Sequence, residues 1–274
     1  MLRSRLLTPL LTAFMVSACA GTTPPGTPSP RDPTPRVPET EISTTAEYDL
    51  IIENGRIVDG TGSAWFYGDI AVKNGRIARI VPKGVLRGTS ASQRIDAYDH
   101  IVSPGFIDIQ SQSRYALLDG DSKVISKVTQ GITTEIMGEG TSTAPINPAY
   151  LPRAGADDSR IERRRRTFAG PHGFDAWLRA MEARGTSVNQ GSFLGAGTIR
   201  SYASGSRMGD ATAVELDTMK MVVRRAMEDG AFGIASALIY PPGNFASTTE
   251  LSEISAAMAP YGGVYITHMR SEAN

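Results

Sequence analysis

Two short apolar runs that each end in polar side chains, with a helical segment between them, constrain the fold of this chain more than any other feature. The first run is PGFIDIQSQ (residues 104–112) and the second is QGITTEIMGEG (residues 130–140). Residues 119–130 between them have the pattern of a helix. Strand, helix and strand in this order are typical of α/β folds, which place functional groups at the carboxyl ends of their strands.

The alternation of strand and helix continues to the end of the chain. The predicted strands lie near residues 105–109, 132–137, 188–194, 231–236 and 263–268. The predicted helices lie near residues 119–130, 174–183, 213–229 and 248–258. This order predicts a (β/α)8 barrel over residues 104–274, with about five of its strands present. A complete barrel needs roughly 250 residues, so we expect an amino-terminal fragment of a longer protein.

Residues 48–103 have a different pattern, with short β segments separated by turn signals. Asn54-Gly55 and Asn74-Gly75 each lie between two such segments. Because Asn-Gly is the dipeptide most typical of a two-residue hairpin, the pattern predicts two strand pairs, each bent at one Asn-Gly.

The first 47 residues have the composition of an export segment and a tether. Arg3 and Arg5 precede an apolar run over residues 6–16, and Ser17, Ala18 and Cys19 follow it. This is the pattern of a bacterial signal peptide over residues 1–19, and its ending resembles a lipobox, which predicts lipidation of Cys19. The alternative is an ordinary secretory signal. Residues 20–47 include seven prolines between positions 22 and 38, which predicts an extended tether.

Composition limits the chemistry that the chain can carry. Lys plus Arg and Asp plus Glu number 28 each, so the net charge is zero and no attraction to nucleic acid is indicated. Cys19 is the single cysteine, which excludes a disulfide framework and a cysteine-based zinc site in the folded part. The three histidines, His100, His172 and His268, are too few for an all-imidazole metal site within these residues.

Several motifs together resemble the amidohydrolase superfamily, and most closely its branch of N-acyl-D-amino-acid deacylases (D-aminoacylases). They are PGFID (104–108), NGRIVDGTG (54–62), GAFGIAS (230–236), LIYPPG (238–243) and YITHMRSE (265–272). The resemblance implies that residues 48–103 are part of a β-sandwich domain that flanks the barrel. It also implies a metal-dependent hydrolase that acts on a carbon–nitrogen bond of a small amide.

The metal positions implied by the resemblance are only partly kept. Family members carry two histidine ligands where this chain has Gln110 and Gln112, and carboxamides bind first-row metals poorly. Glu139 occupies the position of a further metal ligand, with Glu135 as the rival, and His268 matches a histidine ligand. We therefore expect one divalent metal, zinc, bound by Glu139, His268 and a histidine beyond the end of this chain.

Other site residues follow from the same resemblance. The general base of the family, an aspartate, is expected beyond Asn274, and Ala196 departs from the Gly-His-Gly-Thr of this branch. Tyr240 and Arg270 are candidate substrate-binding residues, because an arginine can pair with a carboxylate through two hydrogen bonds. Packing for both residues, or an ion pair of Arg270 with Glu272, is the structural alternative.

The basic segment at residues 157–166 fits neither a strand nor a barrel helix. It is interpreted as a solvated helix in a loop insertion, or as a basic lid that attracts carboxylate substrates to the mouth of the barrel.

The resulting hypothesis is a lipid-anchored or secreted amidohydrolase that faces the periplasm and acts on a small-molecule amide, first of all an N-acyl-D-amino acid. The rival hypothesis is a non-catalytic lipoprotein that keeps the barrel as a binding or scaffolding module, or an inactive fragment.

Overall fold

The computed structural model describes residues 46–151 and 159–271. The predicted signal over residues 1–19, its Cys19 and residues 20–45 of the predicted tether lie outside the described residues. So do Asp157, Asp158 and Glu272. Among the described helices, none is both long and apolar enough to span a membrane.

The first five strands form one mixed sheet. They are β1 (Tyr48–Ile57), β2 (Phe66–Lys73), β3 (Arg76–Pro82), β4 (Ala91–Asp96) and β5 (Ile101–Val102). Their order is β3, β2, β1 and β4, with β5 paired to the second half of β1. The pairs with β2 are antiparallel, and both β4 and β5 run parallel to β1.

The two Asn-Gly dipeptides have different structures. Asn74 and Gly75, with φ of 52° and 69°, form the predicted hairpin between β2 and β3. The hairpin predicted at Asn54 is wrong, because β1 continues through it with a bulge between Ile52 and Gly55. The backbone N–H of Asn54 donates to the buried Asp69 carboxylate at 3.0 Å, and this contact holds the left-handed residue inside the strand.

One face of this sheet carries a row of isoleucines that pair across four strands. Ile52 lies between Ile95 and Ile70, and Ile70 is paired in turn with Ile80. Ile80 and Ile95 are 43% and 44% exposed. The described residues form this one sheet, and the predicted sandwich is not confirmed.

The strand pairs that the structure describes after residue 105 are all parallel. The strands are β6 (Phe106–Asp108), β7 (Ile132–Met137), β8 (Asn189–Ser192), β9 (Leu194–Gly195), β10 (Gly233–Ala237) and β11 (Val264–His268). They form two three-stranded sheets in sequential order, β6 to β8 and β9 to β11. The predicted strand at residues 188–194 is interrupted at Phe193, whose N–H donates to the Met137 carbonyl at 2.8 Å. The described strands do not close into a barrel.

Helices connect these strands. They are α1 (Arg114–Leu118), α2 (Ile125–Val128), α3 (Arg160–Thr167), α4 (Gly173–Arg184), α5 (Ala196–Ser204), α6 (Ala213–Glu228) and α7 (Thr248–Met258). The predictions of α4, α6 and α7 are confirmed within one or two residues. A single helix over residues 119–130 is wrong, because positive φ angles at Ser122 and Val124 separate α1 from α2. The predicted pattern did not include α5.

The main core lies between the parallel strands and these helices. It includes side chains of α4, α5 and α6 packed against β7, β9 and β10: Trp177, Ile199, Met219, Met137, Leu194 and Ile234. Burial of these apolar side chains is the main stabilising term. The packing also fixes the carboxyl ends of β7 and β10 relative to each other.

A buried ion pair joins α5 to α7 inside this layer. Arg200 is 1% exposed and Glu250 is 3% exposed, and Nη1 of the arginine donates to Oε2 of the glutamate. Nη2 of Arg200 donates to the Gly209 carbonyl at 2.6 Å. Removal of one partner would leave a buried charge without compensation, which is far more costly than the loss of a surface pair.

We expect Glu250→Ala to lower the free energy of unfolding by about 3 to 5 kcal/mol, since it leaves the buried Arg200 guanidinium without its anionic partner. Glu253→Ala on the same helix is the matched control. Glu253 pairs with Lys220 at the surface, so its loss should cost less than about 1 kcal/mol. Urea unfolding of the three proteins measures both values, and equal effects of the two substitutions would contradict the account.

Candidate active site at the strand ends

The carboxylate of Glu139 contacts the side chains of both Gln110 and Gln112. Nε2 of Gln110 donates to Oε1 of Glu139 at 2.7 Å, and Nε2 of Gln112 lies 3.5 Å from Oε2. Both glutamines follow β6, and Glu139 follows β7, so the contact joins the ends of two neighbouring parallel strands. The structure therefore brings Gln110, Gln112 and Glu139 into one group, which we call the glutamine–glutamate cluster.

A sharp backbone turn presents Glu139 to the glutamines. Gly138 has a φ of 101°, and a Cβ at this position would lie 2.1 Å from the Phe193 carbonyl oxygen. The next glycine, Gly140, has a φ of 67°. These backbone conformations and close contacts favour glycine at both positions. Because β7 ends at Met137, the alternation of side chains between the two faces of the strand does not extend to Glu139.

Glu135 lies in a separate charged group on the face of β7 that carries Met137. Glu135 is fully buried, and its Oε1 accepts from Ser113 Oγ at 2.9 Å and lies 3.6 Å from Lys127 Nζ. Lys127 of α2 also donates to Asp108, the last residue of β6. This hydrogen bond holds the pKa of the Asp108 carboxyl below its usual range and raises the pKa of the Lys127 ammonium.

Asp108, in this charged group, lies close in sequence to the two glutamines that follow β6. Alternation predicts that Asp108 points the same way as Gln110 and Gln112. In the structure the Asp108 carboxylate accepts hydrogen bonds from Lys127 Nζ and, at 3.0 Å, from the backbone N–H of Gln110. Glu135 is likewise held in an ion-pair network, whereas Glu139 is half-buried and contacts the glutamines.

His268 ends β11, in register with Ala237 of β10. Its ring lies 5.9 Å from the ring of Tyr240, centroid to centroid, and its Nδ1 is 3.4 Å from the Met269 carbonyl. Tyr240 is 60% exposed in the loop after β10. The histidine and tyrosine predicted from the sequence are therefore neighbours at the same end of the parallel strands as Glu139.

Arg270 makes contacts with its own surroundings. Its Nη1 donates to the Asn244 carbonyl at 2.6 Å, and its Nη2 donates to the Ala246 carbonyl at 2.8 Å. The guanidinium thus fixes the loop that follows Tyr240, and its role in substrate binding stays a prediction. Ala196 is 3% exposed at the first position of α5, packed in the core.

The described residues do not supply a complete zinc site. A zinc ion in a catalytic site takes three protein ligands from His, Cys, Asp or Glu. Among residues 46–151 and 159–271, no group of three such side chains is arranged to hold a metal ion. The carboxamides of Gln110 and Gln112 act as hydrogen-bond donors to Glu139, so these two side chains do not fit a metal.

Sequence reasoning missed Lys127 and Arg114. Lys127 bridges Asp108 and Glu135, and the helical pattern alone gives no sign of that contact. Arg114 follows Gln112 closely, and its Nη1 donates to the carbonyl and hydroxyl oxygens of Thr141, two residues after Glu139. A cation next to the glutamine motif is the signal that could have identified it.

Comparison with known proteins adds three relatives. The chain is 33% identical over 237 residues to a D-aminoacylase from Alcaligenes xylosoxydans xylosoxydans, which covers 84% of this chain and 46% of that protein. A solved D-aminoacylase structure, described by one-metal activation and second-metal attenuation of its binuclear centre, superposes with a TM-score of 0.70 at 33% identity. It covers 82% of this chain and 46% of that one.

The third relative is a solved N-acyl-D-glutamate deacylase from Bordetella bronchiseptica in complex with zinc and a phosphonate inhibitor. It has a TM-score of 0.69 and 28% identity, and covers 82% of this chain and 46% of that one. No protein-family model matches the chain. The chain spans about half the length of the relatives it matches. Over that half it is a homologue of the D-aminoacylases and N-acyl-D-amino-acid deacylases of the amidohydrolase superfamily.

Proposed function

We propose that the protein hydrolyses the amide bond of N-acyl amino acids, with N-acyl-D-amino acids as the first substrates to test. The observation that carries this proposal is the position of Glu139 and His268 at the carboxyl ends of β7 and β11, in a chain 33% identical to a D-aminoacylase. Catalytic groups occupy this end of the strands in α/β enzymes. The named relatives are enzymes and give no support to a non-catalytic module.

The parallel strands are proposed to be the first five of a (β/α)8 barrel. Their sequential order, and helices between successive strands, support this proposal. In this arrangement β8 and β9 count as one interrupted strand. The exposed side chains of Phe106 and Val264, 60% and 56% exposed at the two ends of the strand series, are consistent with further barrel residues beside them.

One zinc ion is proposed as the cofactor, with Glu139 and His268 as the residues that would hold it. A third ligand must come from outside the described residues. When bound, zinc supplies a Lewis acid and lowers the pKa of its water. The activation of a related D-aminoacylase by one metal supports a single-metal site.

Neighbouring side chains are proposed to position Glu139 and His268. Gln110 and Gln112 donate to the two oxygens of Glu139 and leave the carboxylate other lone pairs for a ligand. Tyr240 packs against the His268 ring, and Arg270 holds the loop that follows Tyr240. We propose that Tyr240 and Arg270 face the substrate in the assembled site.

A location in the cell envelope is proposed from the first 19 residues. The basic start, the apolar run and Cys19 after a small residue support a lipid anchor in a periplasm-facing protein. The proline-rich residues that follow would separate the folded part from the membrane.

We expect the double substitution Gln110→His and Gln112→His to add about one equivalent of bound zinc per chain, since it places two imidazoles beside Glu139. Equilibrium dialysis followed by elemental analysis measures the zinc content. Gln93→His with Gln130→His is the matched control, because both glutamines are exposed, Gln93 lies in β4, and Gln130 precedes β7 whereas Glu139 follows it. Equal zinc content in the double variant and the parent protein would contradict the assignment of this position.

Hydrolysis itself is tested with N-acetyl-D-leucine and N-acetyl-L-leucine in the presence of zinc, with the protein expressed from its complete gene. We expect faster hydrolysis of the D form, and a loss of about 100-fold or more in kcat/KM for Glu139→Ala and for His268→Ala. Glu228→Gln, a surface change on α6, should leave the rate unaltered. Wild-type rates in the Glu139 and His268 variants would rule out the proposed roles.

For the lipid anchor, Cys19→Ser is expected to abolish incorporation of radiolabelled palmitate and to move the protein from the membrane fraction to the soluble fraction. The serine keeps the size of the side chain but cannot form the thioether of a lipoprotein. Ser17→Ala is the control and should remain labelled. Palmitate labelling of the Cys19→Ser protein would refute the anchor.

A further inference from the structure

A cavity of about 790 Å³ lies next to the glutamine–glutamate cluster. One wall includes Arg114, close after Gln112, and a second includes Thr141, Ser142 and Thr143, which follow Glu139. The other walls come from α3, α5 and the loop after β10. Its volume lies within the range of small-molecule sites, which is roughly 300 to 1,000 Å³.

The lining of this cavity combines apolar surface with positive charge. Leu118, Ile146, Phe168 and Tyr202 contribute apolar or aromatic side chains. The charged groups of the lining are two guanidiniums, from Arg114 and Arg165, and the carboxylate of Asp119. The net charge of the lining is therefore positive, and its apolar side chains can pack against the apolar part of a ligand.

Both arginines keep unused hydrogen-bond donors. Nη1 of Arg114 donates to Thr141 at 2.8 Å, and its Nε and Nη2 bond to no other described residue. Nη1 of Arg165 lies 3.2 Å from Oε2 of Glu162, and its Nε and Nη2 likewise bond to no other described residue. Each guanidinium is oriented by hydrogen bonds at one of its nitrogens. The other two nitrogens can still donate to an anion.

We propose that this cavity, whose lining does not include Glu139 or His268, binds a small carboxylate that carries an apolar chain or ring. The carboxylate accepts hydrogen bonds from Arg114 and Arg165, and the apolar part lies against Phe168 and Tyr202. A guanidinium pairs with a planar carboxylate through two parallel hydrogen bonds, which favours this ligand class. The proposal goes beyond the amide hydrolysis and does not depend on it.

The proposal also explains the basic segment singled out in the sequence. Arg165 belongs to α3, which begins after the N-cap Ser159 and ends next to the buried Phe168. Glu162, 3% exposed, anchors the helix and contacts Arg165 and Arg166. The helix therefore turns one arginine toward the cavity, as expected of a basic segment that attracts carboxylates rather than of a solvated surface helix alone.

Binding of octanoate to the protein expressed from its complete gene, measured by isothermal titration calorimetry, tests the proposal. We expect saturable binding of octanoate and none of octylamine, which has the same apolar chain and the opposite charge. Arg165→Gln should raise the Kd for octanoate about tenfold, because a charge-assisted hydrogen bond is lost. Ser201→Phe should abolish binding, since it fills the cavity from α5.

The matched control is Arg179→Gln. Arg179 is an exposed arginine on α4 that pairs with Asp175 and does not line the cavity, so the Kd for octanoate should not change. Circular dichroism confirms that each variant is folded. The proposal is overturned if octanoate does not bind, if octylamine binds equally well, or if Arg165→Gln and Ser201→Phe both bind octanoate like the parent. None of these outcomes bears on the hydrolysis assay.

Discussion

The hydrogen bond from Gln110 to Glu139 is the contact on which the interpretation of this molecule depends. It connects the ends of β6 and β7, where the family resemblance of the sequence predicts two histidine ligands in place of Gln110 and Gln112. Gln110 and Gln112 are neutral donors, so they satisfy the carboxylate without a cation. The structure therefore has hydrogen bonds to Glu139 where the family resemblance predicts metal ligands at Gln110 and Gln112.

The charges around this cluster divide into two groups with different roles. Asp108, Lys127 and Glu135 pair with one another around the end of β6, and Lys127 carries the compensating charge for both carboxylates. Glu139 and His268 are not part of that network and lie at the ends of their strands. A buried carboxylate that already has a lysine partner is a structural element, whereas the half-buried Glu139 keeps access to a ligand.

Much of this fold follows from local sequence patterns. The five parallel segments and the helices α4, α6 and α7 are strongly periodic, and the pattern also predicts that Glu139 and His268 lie at strand ends, whereas their role as metal ligands is implied only by the family resemblance. Local patterns fail where distant residues decide the conformation. Asn54 and Asn74 are each followed by a glycine. Asn74 forms a hairpin, whereas a hydrogen bond to Asp69 holds Asn54 in a bulge within β1. The missed helix α5 has no side-chain cap, and its Arg200 is bound by Glu250, fifty residues away. The partner of Gln110 is likewise 29 residues distant.

The most direct test of the central claim is diffraction at the zinc absorption edge from crystals of this protein soaked in zinc. The account predicts no anomalous peak between Gln110 and Gln112, with their side-chain nitrogens within hydrogen-bonding distance of the Glu139 carboxylate. A zinc peak at bonding distance from the side-chain oxygens of both glutamines would contradict it.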